Sequence, residues 1–204
     1  MAKLKKTKNE LKAQREALGR YERFLPTLEL KKQQLQREVR RADIALRERA
    51  ARGEALIGRL RPWVKLLSSL PELGDHVRVE GVDLDTANVA GVTVPVLTGV
   101  RFLRSAIDYF ETPAWLEDAI ATLSDLTRIR AEQRVFERQK ELLGEELRIT
   151  SQRVNLFEKV MIPRAQNNMR IIRIALGDAQ TAAVARAKLA KGKGAELLSG
   201  MAGA

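Results

Sequence analysis

A heptad repeat of leucines runs through the first third of this 204-residue chain. Four leucines recur every seven residues from Leu4 to Leu25, and seven of the nine positions in that register up to Leu60 are apolar. The positions three residues further along are apolar in six of nine cases. A repeat that persists over so many heptads predicts one long helix with a coiled-coil seam.

A second helical segment is predicted from Pro113 to Leu176. Thr112 can cap its start and Pro113 suits the first turn. An apolar line then follows in steps of three, four or seven residues, which is one face of a helix. The line resumes after Pro163, and Gly177 suits a helix C-cap.

Two helical arms of similar length, joined through the middle of the chain, predict an antiparallel pair. If the arms are in register, the residue numbers of facing positions add to about 180, so that Leu4 lies near Leu176 and Leu60 near Ile120. Pro26 should bend or locally open the first helix. The predicted seam consists of Leu4, Leu11, Leu18, Leu25, Leu28, Leu35 and Val39 on the first arm, and Phe136, Leu143, Leu147, Val154, Phe157 and Met161 on the second.

The middle of the chain is rich in valine, threonine and glycine. His76–Glu80, Val82–Asp85 and Val92–Leu97 are the predicted strands. They indicate a small β-hairpin, with room for a third strand, at the far end of the helical pair. The predicted fold is therefore mainly α: a long antiparallel two-helix coiled coil with a hairpin-containing insert and a flexible C-terminal tail. The predicted divisions are 1–66 for the first helix, 67–112 for the insert, 113–177 for the second helix and 178–204 for a basic tail.

The composition also favours long helices over a compact globule. The chain is 31% charged but only 4% aromatic, and its net charge is +11. Residues 1–60 carry +9, residues 61–115 carry −2 and residues 116–204 carry +4. Basic ends attract nucleic acid, anionic membranes or acidic protein surfaces, and composition does not choose among them.

No catalytic or metal-binding pattern is present in the sequence. Cysteine is absent, which excludes disulfides and thiolate metal sites, and His76 is the sole histidine. The glycine-rich stretch AKGKGAELLSG lacks the spacing of a phosphate-binding loop and follows no predicted strand. No apolar run approaches the length of a membrane span, and the charged start is unlike a secretory signal. We therefore expect no catalytic residues, no cofactor and no metal.

The basic runs have a structural and a binding interpretation. Lysines of KLKKTKNELK are mixed with the leucine heptad, so a solvated coiled-coil face is as good an explanation as a binding role. Among binding roles, a protein surface ranks above nucleic acid, since no stacking aromatics and no zinc, basic-zipper or RNA-recognition signature accompany the charges.

The segment RVNLFEKVMIPRAQNNMRIIRIAL, residues 153–176, closely resembles the C-terminal helix of the D subunits, the central rotor shafts of V/A-type rotary ATPases. The family segment runs approximately R-V-N-A-L-E-K-V-L-I-P-R and then I-R-Y-I-R-L-R-L. The stretches TKNELKAQREAL and LELKKQQLQREV resemble the family's first helix more loosely, and Pro26 points to a divergent bacterial branch. The residues that match are Arg153, Val154, Asn155, Glu158, Lys159, Val160, Ile162, Pro163, Arg164, Arg170, Ile172, Arg173 and Leu176.

The resemblance implies a non-catalytic component whose two termini lie in the cavity of a hexamer of alternating A and B subunits. Its middle would join the small F subunit of the central stalk and the socket subunit, C or d, above the membrane ring. The protein would be cytoplasmic and peripheral to the cell membrane, would transmit torque for ATP synthesis or hydrolysis coupled to proton or sodium transport, and would bind neither nucleotide nor nucleic acid. The residues implied to contact the A/B cavity are Arg153, Asn155, Glu158, Lys159, Ile162, Pro163, Arg164, Arg170 and Arg173.

Two other classes of protein share part of this pattern. A prefoldin-like chaperone also joins a helical pair through β-hairpins, but its helices are shorter and it lacks the R-V-N…E-K-V-x-I-P-R run. A basic coiled coil that organises nucleic acid would show a steep loss of affinity with salt. Within the rotor interpretation, Pro163 is expected to give the shaft a deliberate deviation, because proline kinks helices.

Overall fold

The computed structural model describes residues 4–61, 64–67, 77–104 and 113–201. Two long helical segments flank an antiparallel hairpin, which confirms the predicted fold class. The elements in chain order are α1 (Lys8–Leu60), α2 (Val64–Leu67), β1 (Val77–Val89), β2 (Val92–Arg104), α3 (Leu116–Leu156), a π-helical turn (Phe157–Met161) and α4 (Ile162–Met201).

The chain forms two compact units, and α1 contributes to both. One unit comprises residues 1–29 and 152–204, and the other comprises residues 30–151. We call them the terminal unit and the central unit. In each unit α1 packs against a helix that returns in the opposite direction, and the numbers of facing residues add to about 180, as predicted. The facing pairs are Gln14–Asn168 and Tyr21–Phe157 in the terminal unit, and Lys31–Glu146, Asp43–Lys140 and Arg49–Glu132 in the central unit.

The apolar side chains of the heptad repeat face the interior of the pair. Among the thirteen predicted seam residues, Leu35, Leu143 and Val154 are buried and the other ten are half-buried. Gly53 belongs to the same register. A Cβ atom built on Gly53 would lie 3.7 Å from side-chain atoms of Ile129 and Gln133 on α3. The seam is narrow because two helices alone enclose little volume.

α1 runs unbroken from Lys8 to Leu60 with Pro26 inside it, so the helix does not open there. Half-buried Leu25 and Leu28 lie on either side of the proline and keep both halves of the helix on the seam. The hydroxyl of Thr27 donates a hydrogen bond to the carbonyl oxygen of Phe24 at 2.7 Å. Packing on both sides therefore offsets the lost backbone hydrogen bond.

The β-hairpin is longer than predicted and consists of two strands in the described residues. The predicted strands His76–Glu80 and Val82–Asp85 are parts of one strand, β1, while His76 itself lies outside the described residues. The predicted break at Gly81 is wrong, since this glycine lies inside β1 at an irregularity in the pairing. A Cβ there would come to 2.7 Å from Arg101 Nη2, so the glycine makes room for a cross-strand arginine.

The tip of the hairpin packs against the helical pair of the central unit beside Leu35 and Leu143, away from the end of the pair at which the insert joins it, so the predicted packing at the far end was wrong for the tip. Val94 is 2% exposed and forms a buried cluster with Leu35 of α1 and Leu143 of α3. Gln139 Nε2 donates a 2.6 Å hydrogen bond to the carbonyl oxygen of Pro95. The hairpin therefore adds a third layer to a pair that would otherwise bury little apolar surface.

Helix α4 does not end at Gly177 but continues to Met201, so the predicted C-cap was wrong. Alanine is frequent after Gly177, and alanine is the best helix former. One glycine costs a helix only about 1 kcal/mol relative to alanine, which such a run offsets. At the other end of the returning segment, α3 begins at Leu116, three residues after Pro113, and Thr112 lies outside the described residues.

A π-helical turn ends at Met161, two residues before Pro163. The backbone N–H of Ile162 donates to the carbonyl oxygen of Phe157, five residues back, instead of four. Pro163 has no N–H to donate, and in a regular α-helix its ring would clash with the carbonyl four residues before it. The wider turn removes that conflict, which explains how the segment tolerates a proline.

The heptad pattern contains one extra residue at the π turn. Upstream, seam positions follow alternating steps of three and four residues through Val154, Phe157 and Met161. Downstream, buried Ala165 and Ile172 each stand one residue later than that register requires. The π turn accommodates the additional residue, so the apolar face of α4 returns to α1 after the proline.

Three ion pairs connect α1 to α3 in the central unit. Their N···O distances are 2.6 Å for Lys31–Glu146, 2.6 Å for Lys140–Asp43 and 2.9 Å for Arg49–Glu132. The Arg49 guanidinium also lies 4.3 Å from the ring centre of Phe136. The hydrogen bond from Lys140, assisted by the charge of Arg47, lowers the pKa of the Asp43 carboxyl.

Replacing Val94 with alanine should lower the free energy of unfolding of the central unit by about 1–3 kcal/mol, because it leaves a cavity in the buried cluster. Val82→Ala is the matched control, since Val82 is on the same hairpin but 45% exposed, and its effect should stay within about 0.5 kcal/mol. Urea unfolding followed by circular dichroism measures both. Equal effects would show that the hairpin tip does not contribute to the core.

Asp43→Asn should destabilise the protein at neutral pH and lose that effect in acid. A lowered pKa in the folded state means that Asp43 contributes stability above its unfolded pKa of about 3.9, and that this contribution disappears as the pH falls through the folded value. Urea unfolding of both proteins at neutral pH and below the folded-state pKa of Asp43 gives the comparison. A difference that is the same at both pH values would contradict the ion-pair explanation.

Deleting Val160 together with Pro163→Ala should produce an uninterrupted α-helix. The deletion removes the extra residue and brings Ala165 and Ile172 into the upstream heptad register. Deletion alone would leave the proline in a regular helix, at a cost of about 3 kcal/mol. We therefore expect the double variant to melt about 10 °C above the deletion alone.

Pro163→Ala without the deletion is the control, because the π turn already accommodates the proline, and its melting temperature should change much less. If adding Pro163→Ala raises the melting temperature equally with and without Val160, the π turn is not what accommodates the proline.

Candidate functional site

The nine residues predicted to contact a partner lie along one continuous stretch from the end of α3 into α4. Arg153 and Asn155 belong to α3, and Glu158 and Lys159 belong to the π turn. The rest belong to α4. Eight of the nine are exposed and Ile162 is half-buried.

The apolar face of the same stretch determines which way these side chains point. Val154, Ala165, Met169 and Ile172 are buried against the opposing helix of the terminal unit. Residues between them on the helix surface are directed outward, since a helix can bury only one face against a single partner. The seam thus presents the predicted contact residues to the surroundings.

Contacts across the helical pair in the terminal unit are neutral where the structure gives them. The rings of Tyr21 and Phe157 are stacked with centroids 5.4 Å apart. Asn168 Nδ2 donates to Gln14 Oε1 at 3.4 Å. This fastening uses none of the unit's cations, in contrast to the three ion pairs of the central unit.

The basic members of the predicted contact set form no ion pair with any described residue. Arg170 donates a 3.4 Å hydrogen bond to the side-chain oxygen of Asn167, its neighbour on the same helix. The cations without an ion-pair partner in the described part of the chain are Arg153, Lys159, Arg164, Arg170 and Arg173. Their charges are available to an approaching surface.

Net charge is concentrated in the terminal unit. Residues 1–29 and 152–204 contain 17 basic and 7 acidic side chains, a net charge of +10. Residues 30–151 contain 20 basic and 19 acidic side chains, a net charge of +1. Almost the whole excess of positive charge therefore belongs to one unit, which favours an acidic binding partner for that unit.

The terminal unit also contains an exposed helical segment beyond the paired region. Every residue from Gly177 to Lys191 is exposed, including Val184 at 57% and Leu189 at 67%. Side chains exposed to that degree bury little apolar surface, so they contribute little to the folding of the unit.

Sequence reasoning did not identify a shallow groove beside the π turn. It is bounded by residues of the N-terminal segment, α1, the π turn and α4, among them Lys5, Tyr21 and Arg164. The residues are distant in sequence, and a heptad pattern identifies facing positions without indicating where the surface is concave. The extra residue in the heptad register was the one available signal.

The described residues contain no group of three or more histidine, cysteine, aspartate or glutamate side chains that could hold a metal ion. Within the same residues, no helix has the length and apolar character needed to cross a bilayer. What the site presents is an exposed, unpaired basic surface on a paired-helix support.

Comparisons with known proteins identify the family of the chain. A family model for the ATP synthase D subunit matches residues 10–192. A V-type ATP synthase D subunit of Borreliella burgdorferi is 40% identical over 191 residues, which cover 94% of this chain and 95% of that protein. Proteins of the same name from Chlamydia muridarum and Chlamydia caviae are 35% and 32% identical, and each match covers 94% of this chain and at least 94% of the relative. The chain belongs to the family of ATP synthase D subunits.

Proposed function

We propose that this chain is the non-catalytic central rotor shaft of a V/A-type ATP synthase or ATPase. It transmits torque between a catalytic hexamer of alternating A and B subunits and the rotor ring in the membrane. ATP is made or hydrolysed in the hexamer, and protons or sodium ions cross at the membrane ring. The protein itself is cytoplasmic and peripheral to the cell membrane.

The distribution of charge is the observation that carries this proposal. The terminal unit holds a net charge of +10, and the described contacts between its helices are neutral and use no cation. A shaft end of this kind suits the cavity of a ring whose inner wall is acidic. The central unit is nearly neutral, so it is the part that should contact the remaining stalk subunits.

Exposed basic side chains suit a shaft that has to turn. Each exposed ion pair contributes only about 0–1 kcal/mol, because water and salt screen it and the long side chains lose entropy. Such contacts can be exchanged as the shaft passes three non-identical catalytic sites, and none holds it in one orientation. The residues that make these contacts are Arg153, Asn155, Glu158, Lys159, Ile162, Pro163, Arg164, Arg170 and Arg173.

The central unit has the features of a torque-bearing segment. Its helices are joined by three cross-helix ion pairs and by the hairpin tip on Leu35 and Leu143. These contacts oppose the sliding of one helix along the other that torque on the pair would otherwise cause. The F subunit of the stalk and the socket subunit, C or d, bind this unit and the residues next to it.

Co-expression with the A and B subunits of the same genome, followed by native mass spectrometry, tests the proposal. We expect one copy of this chain for each ring of three A and three B subunits. A variant with five arginine or lysine residues of the terminal unit changed to glutamine should bind the ring more weakly and with less dependence on salt. The five changed residues are Arg153, Lys159, Arg164, Arg170 and Arg173.

A control with the same loss of charge comes from exposed arginines of the central unit. Changing Arg37, Arg40, Arg52, Arg130 and Arg148 to glutamine removes five charges from exposed positions of that unit. This variant should bind the ring as the unaltered chain does. An A/B ring that assembles without the chain and does not bind it, while the chain self-associates, would favour the chaperone interpretation instead.

A further inference from the structure

The groove beside the π turn is a concave feature near the basic face of the terminal unit. Its volume is about 440 Å³, enough for a few side chains but not for a domain. The groove lies next to the Tyr21–Phe157 stack and is bounded on one side by Met161, the last residue of the π turn. π-helical turns are rare and are frequent at functional sites.

Two cations and one carboxylate line this groove. Lys5 and Arg164 are exposed and have no ion-pair partner among the described residues. The carboxylate, Glu10, accepts a 2.8 Å hydrogen bond from Gln14 Nε2, and Gln14 in turn accepts from Asn168. The polar side chains Glu10, Gln14 and Asn168 therefore form hydrogen bonds with one another. With two cations and one carboxylate, the groove has a net charge of +1.

The remaining wall of the groove is apolar. Leu4 and Met161 are half-buried, and Ala165 is buried at its base. Leu4 precedes α1 and so is not needed to form that helix. A half-buried leucine and methionine beside two unpaired cations can contact an apolar side chain and an anionic one at the same time.

We propose that this groove takes one carboxylate together with a neighbouring apolar side chain from the inner wall of the catalytic ring. The carboxylate pairs with Lys5 and Arg164, and the apolar side chain packs on Leu4 and Met161. The inference rests on the proposed function, and it adds one shaped contact to a surface whose other contacts are flat and weak. Ion pairs that are partly buried are screened less by salt than exposed ones, so the groove contributes more to ring affinity than its share of the charge.

The first arm of the test compares two variants with equal loss of charge. Lys5→Gln with Arg164→Gln removes both cations of the groove, and Arg186→Gln with Lys188→Gln removes two exposed cations of α4 away from it. Binding of the full-length labelled chain to the purified A/B ring is followed by fluorescence anisotropy. We expect the groove variant to bind roughly tenfold or more weakly and the control to change by less than about twofold.

The second arm tests the apolar wall. Leu4→Gln should weaken binding to the same ring at both low and high salt, because apolar contacts are not screened by ions. Leu189→Gln is the control, since Leu189 is 67% exposed and does not line the groove. Thermal melting of each variant verifies that the terminal unit is intact.

The outcomes separate the two proposals. If the unaltered chain does not bind the ring, the rotor proposal fails. If it binds and both double variants weaken binding equally, the ring responds only to net charge and the groove is not a site. If the groove variant alone weakens binding and Leu4→Gln weakens it independently of salt, the groove is the shaped contact.

Discussion

The structure depends on one narrow apolar seam between antiparallel helices. Two helices enclose little volume, so only a single line of side chains can be removed from water, and the described core consists largely of that line and the hairpin tip. Most residues off the line are exposed or half-buried, and the exposed ones are free to be charged. This is why the chain combines a strict heptad repeat with a high content of lysine and arginine, and why it contains few aromatic residues.

The sequence predicts the seam and the pairing well, because both depend on local periodicity and on arm length. The hairpin was also predicted, from a stretch rich in valine, threonine and glycine. The place where the hairpin packs was not predicted. The buried contact of Val94 with Leu35 and Leu143 joins residues far apart in the chain, and no local pattern specifies which surface a strand covers. Gly81 and Gly177 were misinterpreted for a related reason. A glycine can mark a turn, a helix end or a close approach, and only the tertiary surroundings decide.

Part of the candidate site could likewise be predicted from the sequence, and part could not. Outward-facing positions such as Arg153 and Arg173 follow from the position of the seam, and a sequence pattern finds them. The groove does not follow, because Lys5 and Arg164 come from opposite ends of the chain and meet only through the antiparallel pairing. The one-residue shift of the apolar pattern between Met161 and Ala165 was visible in the sequence, and it predicts a local change of helix type once the heptad register is followed through Pro163.

The two units fasten the same kind of helical pair by different means, and the difference matches their proposed tasks. An ion pair across the helices strengthens the pair but uses a cation that could otherwise contact a partner. The central unit makes three such pairs and is nearly neutral. The terminal unit has a ring stack and an amide hydrogen bond instead, so the described contacts between its helices use none of its cations. A shaft that must be stiff in one part and electrostatically attractive in another requires this division, because the same arginine cannot serve both purposes at once.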